Sequence, residues 1–353
     1  SMNILVINPG STSTKVAIYK DENLFYEKNI KHPKEEIVKF KDLFEEKPYR
    51  EKAIIEALNE EKINISFFDA FAGRGGTLKP LKAGVYRVTE SMIDDINKGN
   101  IQQIHASLLG ALIAYDFSLS TGKPAFIVDP ISSDEMADIA KIAGHPKVKF
   151  AALTHTLNVR ACARKVSKDL NLDFFKTNFI IAHLGGGITV NAIYKGKIID
   201  VLDGRQTGPF APTSCGALPL RVIAKLIIKG ELKVEEIEDL YGRSGGLVAY
   251  FGTDDVKELL SKSEQDEKIK QVLQAMCFQV AKAINAQKTI LKGEYETIVL
   301  TGGLAYSEIL VGWIKRWFPE SERFYLVPGE HEMEALALGT LRALKGEEKV
   351  LDY

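Results

Sequence analysis

The stretch Asn3–Lys20, NILVINPGSTSTKVAIYK, lies without a gap over Asn178–Lys195, NFIIAHLGGGITVNAIYK. Seven of the eighteen positions are identical, at Asn3/Asn178, Gly10/Gly185, Thr14/Thr189, Ala17/Ala192, Ile18/Ile193, Tyr19/Tyr194 and Lys20/Lys195. Chance would match about one, so the chain carries an internal duplication at a spacing of 175 residues. Each copy is an apolar run, a small-residue turn and a second apolar run ending in a charged turn. That pattern predicts a strand, a tight loop and a returning strand.

The turns differ in chemistry. The first reads Asn8-Pro9-Gly10-Ser11-Thr12-Ser13-Thr14-Lys15 and the second His183-Leu184-Gly185-Gly186-Gly187. Glycine lets a backbone approach a ligand closely, and successive N–H groups with hydroxyls form a concave donor site for phosphate oxygens. One such loop alone reads equally well as an ordinary hairpin turn. Two at equivalent places of a duplication point to a polyphosphate held between two related domains.

Outward from the repeats, Leu24–Ile30 predicts a third strand, and the charged stretch from Pro33 to Glu61 predicts helix. The apolar run Phe67–Ala72 ends at Gly73-Arg74-Gly75-Gly76, and a helix is predicted from Ile101 to Leu119, closed by Gly122. A buried strand, Ala125–Val128, delivers Asp129, and Ser132 with Glu135 suggests a capping box for a following helix. His155 opens a helical stretch to Leu170. Strands at Thr297–Leu300 and Arg323–Val327 run into Thr301-Gly302-Gly303 and Pro328-Gly329-Glu330, and a terminal helix covers Met333–Leu344. In open α/β sheets ligands collect beyond the carboxyl ends of strands, where Asn8, Arg74, Asp129, His183 and Gly302-Gly303 fall. Neither a GxxxxGK[ST] loop nor a GxGxxG fingerprint is present, so a nucleotide would need a different scaffold.

A chain of 353 residues suits two cores, and 46 basic against 47 acidic residues leave no electrostatic footprint for nucleic acid or an anionic membrane. No apolar run nears the roughly 20 residues of a bilayer span, and the chain starts in a strand rather than a signal sequence, so a cytoplasmic protein is expected. The three cysteines, Cys162, Cys215 and Cys277, are too scattered for a disulfide framework or a zinc site.

NPGSTSTK, HLGGG, LTGGLAYS and PGEHEMEALALG together resemble the acetate kinase family of the sugar-kinase, chaperone-ATPase and actin superfamily. The resemblance spans essentially the whole chain, and the GPFAP segment at Gly208–Pro212 with the EMEALALG ending is closer to the family's butyrate kinase branch. It implies an α/β fold of two duplicated actin-like, ribonuclease H-like domains with mixed five-stranded sheets and the active-site cleft between them. The expected domains are 1–150, with the terminal helix 332–353 packing back on it, and a nucleotide-binding domain 151–331. The implied reaction is reversible transfer of the ATP γ-phosphate to a short-chain or branched-chain carboxylate, giving acyl phosphate and ADP with Mg2+ as cofactor. Alternatives are an acetate or propionate kinase and, more distantly, an actin-like or chaperone-like ATPase. A homodimer or higher homo-oligomer is implied.

A carboxylate is already ionised at neutral pH, so the reaction needs positioning and charge neutralisation rather than a base. Arg74, between glycines that leave room for a ligand, suits bidentate pairing with a carboxylate. By resemblance it binds the acyl substrate. Asp129 and Glu332 are hard oxygen ligands for magnesium, with Asn8 beside the metal and phosphates. The resemblance assigns His155 to the transferring phosphoryl group, where a donor imidazole would meet developing charge, and His183 to the nucleotide phosphates. His105 on its apolar helix reads equally as substrate contact or packing residue. Ser11, Ser13, Lys15, Gly185, Gly186 and Gly187 are the phosphate-side companions; Gly302, Gly303 and Asp255 fall where the family meets the nucleotide. Two departures stand out. Lys257 replaces a common family arginine, and Ser214 stands where the family places a second active-site arginine. Arg205, in the nearby Asp203-Gly204-Arg205-Gln206 loop, is the candidate substitute.

Overall fold

The two predicted meanders each form one side of a sheet, running inward from its edge, in the computed structural model, which describes residues 1–353. Packing divides the chain into one unit of Ser1–Glu135, Thr156–Asn158 and His331–Tyr353, and another of Met136–His155 and Val159–Glu330.

In the first unit, β1 (Asn3–Pro9), β2 (Ser13–Lys20), β3 (Asn23–Lys31), β4 (Ala70–Gly73), β5 (Val85–Arg87) and β6 (Ala125–Val128) form a sheet ordered β3-β2-β1-β4-β6-β5. This is one strand more than expected. The extra strand, β5, is a three-residue edge antiparallel to β6, too short to show a period in sequence. Helices α1 (Lys34–Ile37), α2 (Glu46–Glu60), α3 (Glu90–Lys98) and α4 (Leu108–Thr121) belong here. Leu5, Ile7, Val16 and Ile18 pack with Ile54 and Leu58 of α2 and Leu109, Leu112 and Ile113 of α4.

The second unit holds β7 (Phe179–Leu184), β8 (Ile188–Tyr194), β9 (Lys197–Asp203), β10 (Ile298–Gly302) and β11 (Phe324–Pro328), ordered β11-β10-β7-β8-β9. Its helices are α5 (Thr156–Asp169) from Val159 onward, α6 (Leu220–Ile228), α7 (Ile237–Leu240), α8 (Gly246–Phe251), α9 (Val256–Ser263), α10 (Glu267–Gln287) and α11 (Glu308–Lys315). One face of this sheet packs on α10 and α11; the other carries Val159, Cys162, Ala163 and Val166 of α5 against Phe179, Ile181 and Ile193. The final helix, α12 (Glu332–Leu344), packs on β1, β4 and β6, with Gly339 against Val128.

The duplication is present, but the gap-free overlay is not its true register. In the first hairpin the last pair is Pro9↔Thr14, and in the second it is Leu184↔Ile188, so the second loop is one residue shorter. The β-bulge lies between Ile18 and Tyr19 in β2 and between Ala192 and Ile193 in β8. The left-handed turn residues that follow are Asp21 (φ 53) and Lys195 (φ 48). Bulge and turn therefore match Thr14 with Ile188 and Val16 with Val190. Because a one-residue slip moves every side chain to the other face, the five identities beyond the loop do not pair structurally equivalent positions. The corrected register puts Val16 and Ile18, Val190 and Ala192, on the same core-facing side of each sheet.

Three other local expectations fail for identifiable reasons. The stretch from Pro33 to Glu61 is broken before α2, where the Asp42 carboxylate accepts from the Glu45 N–H and caps a separate short turn. Residues 101–107 are not helical: Thr77 O accepts from Gln102 N at 2.9 Å and the Thr77 hydroxyl donates to Gln103 O at 2.6 Å, tying that backbone to another segment. Ser132 and Glu135 cap nothing, since Leu81 bridges to Ser133 and accepts from Asp134 N at 2.7 Å.

Candidate functional site

The first loop is organised from behind. Arg50 of α2 is fully buried, and its Nη1 donates to Gly10 O at 2.6 Å, Ser13 O at 2.9 Å and the Thr14 hydroxyl at 3.2 Å. Its Nη2 donates to Ser11 O at 3.1 Å and pairs with Glu46 at 2.8 Å. The buried Thr14 hydroxyl is also 2.8 Å from His32 Nε2. Burial, reinforced by the Arg50 charge, lowers the His32 pKa to about 4, so His32 is neutral at physiological pH. Ser11 is exposed, Ser13 half-buried, and Lys15 forms a 2.6 Å ion pair with Glu27 of β3. Asn8 and Lys15 are cross-strand partners.

Arg74 follows β4, its N–H donating to Ile7 O at 3.0 Å. The surrounding glycines serve packing, which corrects the expectation that they leave space for a ligand. A Cβ on Gly73 would lie 2.3 Å from Gly110 O, one on Gly75 2.5 Å from Pro130 Cβ, and one on Gly76 3.0 Å from Leu108 N. They let α4 and the chain after β6 press against the Arg74 segment, fixing where the side chain starts. Arg74 Nη1 then meets Glu332 Oε2 at 2.5 Å, so two residues assigned to different ligands are partners here. His105 lies in the turn before α4 rather than on a helix, its Nδ1 accepting from Ser107 N at 3.1 Å. Its pKa is lowered by desolvation and by the Arg74 cation, although part of the residue reaches solvent. Asp129, directly after β6, is buried and has φ 44, a left-handed conformation that costs a non-glycine residue about 1–3 kcal/mol. Strain of that kind at a buried carboxylate marks Asp129 as a functional candidate.

In the second unit, the His183 and His155 rings stack with centroids 3.7 Å apart and planes 8° from parallel. His155 Nδ1 is 3.0 Å from the hydroxyl of Thr189, the cross-strand partner of His183, and Glu330 Oε1 lies 3.5 Å from His183 Nε2. Thr154 hydrogen-bonds both Thr189 and Asn191. The glycine loop is closed by Gly185 N donating to Gly187 O at 3.1 Å and by Thr213, whose N–H and hydroxyl both reach Gly186 O at 3.0 Å. Gly302 has φ 88, and a Cβ there would sit 2.4 Å from Leu184 O; that glycine is required by packing. Gly187 and Gly303 differ, because a Cβ on either would meet no protein atom within 4 Å. Open glycines of this kind suit the approach of an external group.

Arg205 pairs with buried Asp203 through Nε at 3.1 Å and stays about half-exposed. Ser214 is buried, its hydroxyl donating to Gly204 O at 3.2 Å. Asp255 caps α9 by accepting from Glu258 N at 3.0 Å, a structural use that its sequence neighbourhood did not reveal.

With this geometry in view, probable butyrate kinases from Thermotoga maritima and Thermotoga petrophila are each 41% identical to the chain over 351 residues, covering 99% of it and 98% of each relative. The chain belongs to the acetokinase family. The acetokinase family model itself matches residues 153–311, from just before α5 into α11. Among solved structures, Porphyromonas gingivalis acetate kinase aligns with TM-score 0.78 at 18% identity over 98% of this chain and 100% of its own. Entamoeba histolytica acetate kinase gives 0.75 at 17% over 96% and 98%. At those identities the likeness shows a shared fold, the duplicated two-domain actin-like architecture.

Sequence reasoning missed Arg50, Thr154, Thr189 as the His155 partner, and Asn158, which accepts from His331 N at 3.0 Å where α12 begins. Arg50 sat inside a run of charged residues with nothing to separate it from solvent-facing neighbours. Thr189 was within the repeat, but its role depended on the corrected register.

Proposed function

We propose that the chain transfers the γ-phosphate of ATP reversibly to the carboxylate of butyrate or a similar short or branched-chain fatty acid, releasing ADP and acyl phosphate. The observation that carries this reading is the 41% identity to probable butyrate kinases over nearly the whole chain. A substrate carboxylate oxygen forms the new bond to the γ-phosphorus while the bond from that phosphorus to the β-phosphate oxygen breaks, and no proton need move.

Arg74 binds and orients the carboxylate: Glu332 engages Nη1, and a guanidinium has five N–H donors, which leaves donors for a substrate. His105 stands beside it. Asn8, Ser11, Ser13 and Lys15 face phosphate oxygens, as do His183 and the loop Gly185-Gly186-Gly187, with His155 meeting charge that develops on the transferring group. Gly302, Gly303 and Asp255 serve the nucleotide. No cluster of three His, Cys, Asp or Glu side chains forms an all-protein metal cage. The oxygen donors of Asp129, Glu332 and Asn8 fit Mg2+, which keeps several waters and takes one or two carboxylates beside substrate phosphates. Asp129 and Glu332 would hold it through water, with Asn8 adjacent, and it would neutralise charge on the β- and γ-phosphates.

No helix is long and apolar enough to cross a membrane, and we place the enzyme in the cytoplasm. We also propose that it self-associates: α6 has no buried residue, and Leu220, Val222 and Ile228 are all exposed.

Hydroxylamine trapping of acyl phosphate with ATP, magnesium and acids of two to six carbons tests the reading. Hydroxamate is expected to peak with four-carbon acids. No hydroxamate from any acid, alongside measurable ATP hydrolysis, would overturn it.

A further inference from the structure

We infer that Arg50 is the positioning residue of the first phosphate loop, turning three of its carbonyls inward so that its amides face the nucleotide. The inference rests on the reading that this loop meets ATP.

A buried guanidinium is costly unless its donors are satisfied. One carboxylate, Glu46, neutralises Arg50, and the remaining donors reach Gly10 O, Ser11 O, Ser13 O and the Thr14 hydroxyl. In a trans peptide the N–H points opposite the preceding C=O. With the carbonyls of Gly10 and Ser11 drawn towards Arg50, the amides of Ser11 and Thr12 point away from it, and both residues are exposed. Successive amides on one side make an anion-binding concavity. If the inward carbonyls were released they could rotate outward and present acceptors to phosphate. The planar fork explains the residue type, since a lysine ammonium keeps the charge but cannot span this set of acceptors in fixed directions.

The test compares wild type with R50K and R50Q in three measurements: ADP affinity with magnesium by calorimetry, KM for ATP against KM for the carboxylate, and amide exchange over residues 10–14. R50Q should weaken ADP by about thirtyfold or more, and R50K by about fivefold. The carboxylate KM should stay within about threefold, and exchange across the loop should rise in both variants. Should R50Q fail to fold, R50K decides: a folded R50K with wild-type ADP affinity and loop exchange reduces Arg50 to a structural residue and overturns the inference. If wild type binds no ADP, the functional reading fails and this inference falls with it. If wild type binds ADP and folded R50Q matches it, only the inference fails.

Discussion

The two copies of the duplicated sheet share strand order, hairpin, bulge and turn, yet place different chemistry at matching positions. In the first sheet Asn8 pairs with Lys15; in the second His183 pairs with Thr189. On the neighbouring parallel strand Arg74, next after the Ile7↔Gly73 pair, corresponds to Thr301, the partner of His183. One strand further, Asp129 falls where the second sheet has Pro328. The helices on these faces begin alike, α12 after His331 and α5 after His155, but their first residues are Glu332 and Thr156. One copy thus carries Lys15, Arg74, Asp129 and Glu332, and the other hydroxyls, proline and histidine. A duplicated scaffold can keep its backbone and concentrate formal charge in one half. The loops follow the same division: a buried cation orders the first, whereas backbone and threonine hydrogen bonds close the second.

The strongest way to break this comparison is to remove charge from the first copy. R74A should lower kcat/KM for acyl phosphate formation by about 10³-fold, close to 4 kcal/mol of transition-state stabilisation, without unfolding the protein. A loss below about tenfold in the hydroxamate assay would show that the charged half does not carry the reaction. The glycines sharpen the contrast in the second copy. G302A, strained by φ 88 and a contact 2.4 Å from Leu184 O, should cost about 3 kcal/mol of stability in denaturant melts. G187A should cost under about 1 kcal/mol while weakening ADP, because no protein atom opposes its Cβ. Equal destabilisation would erase the distinction between packing and ligand-facing glycines.

Acid should act on the first loop selectively. His32 falls from its ordinary 6.5 to about 4 in the folded protein, so between those values the unfolded chain binds more protons. Its stabilising contribution is complete above pH 6.5 and is lost as pH falls towards 4, by at most about 3 kcal/mol. Melts of wild type and H32Q across that window should converge as pH falls; parallel curves would remove His32 from the account. The smallest effect belongs to R205A. The half-exposed Arg205 is tied to Asp203, so about a tenfold loss of activity is expected, and an unchanged rate would exclude it as the substitute for the arginine absent at Ser214.

The legibility of the chain tracked the range of the interactions involved. Ala125–Val128 reads as a strand from four apolar residues and is one, and the glycine at Gly122 closes α4 in a left-handed conformation as its type predicts. His105 was misplaced because its helical periodicity lost to the hydrogen bonds that Gln102 and Gln103 make with Thr77, far away in sequence. The glycines around Arg74 announced a close approach, but not that helix α4 and Pro130 make it. Arg50 was illegible for the same reason, since its acceptors lie about 40 residues upstream.

By itself, then, the sequence determined the strand–loop–strand pattern of each copy, the α/β class, the family and the residue types able to handle a phosphate and a carboxylate, because these depend on local pattern and composition. Tertiary structure decided the register of the second copy, the partner of Arg74, the use of each glycine and the burial of Arg50. Pleat parity, steric approach and desolvation are properties of neighbours brought together in space, and none is written in the order of residues along the chain.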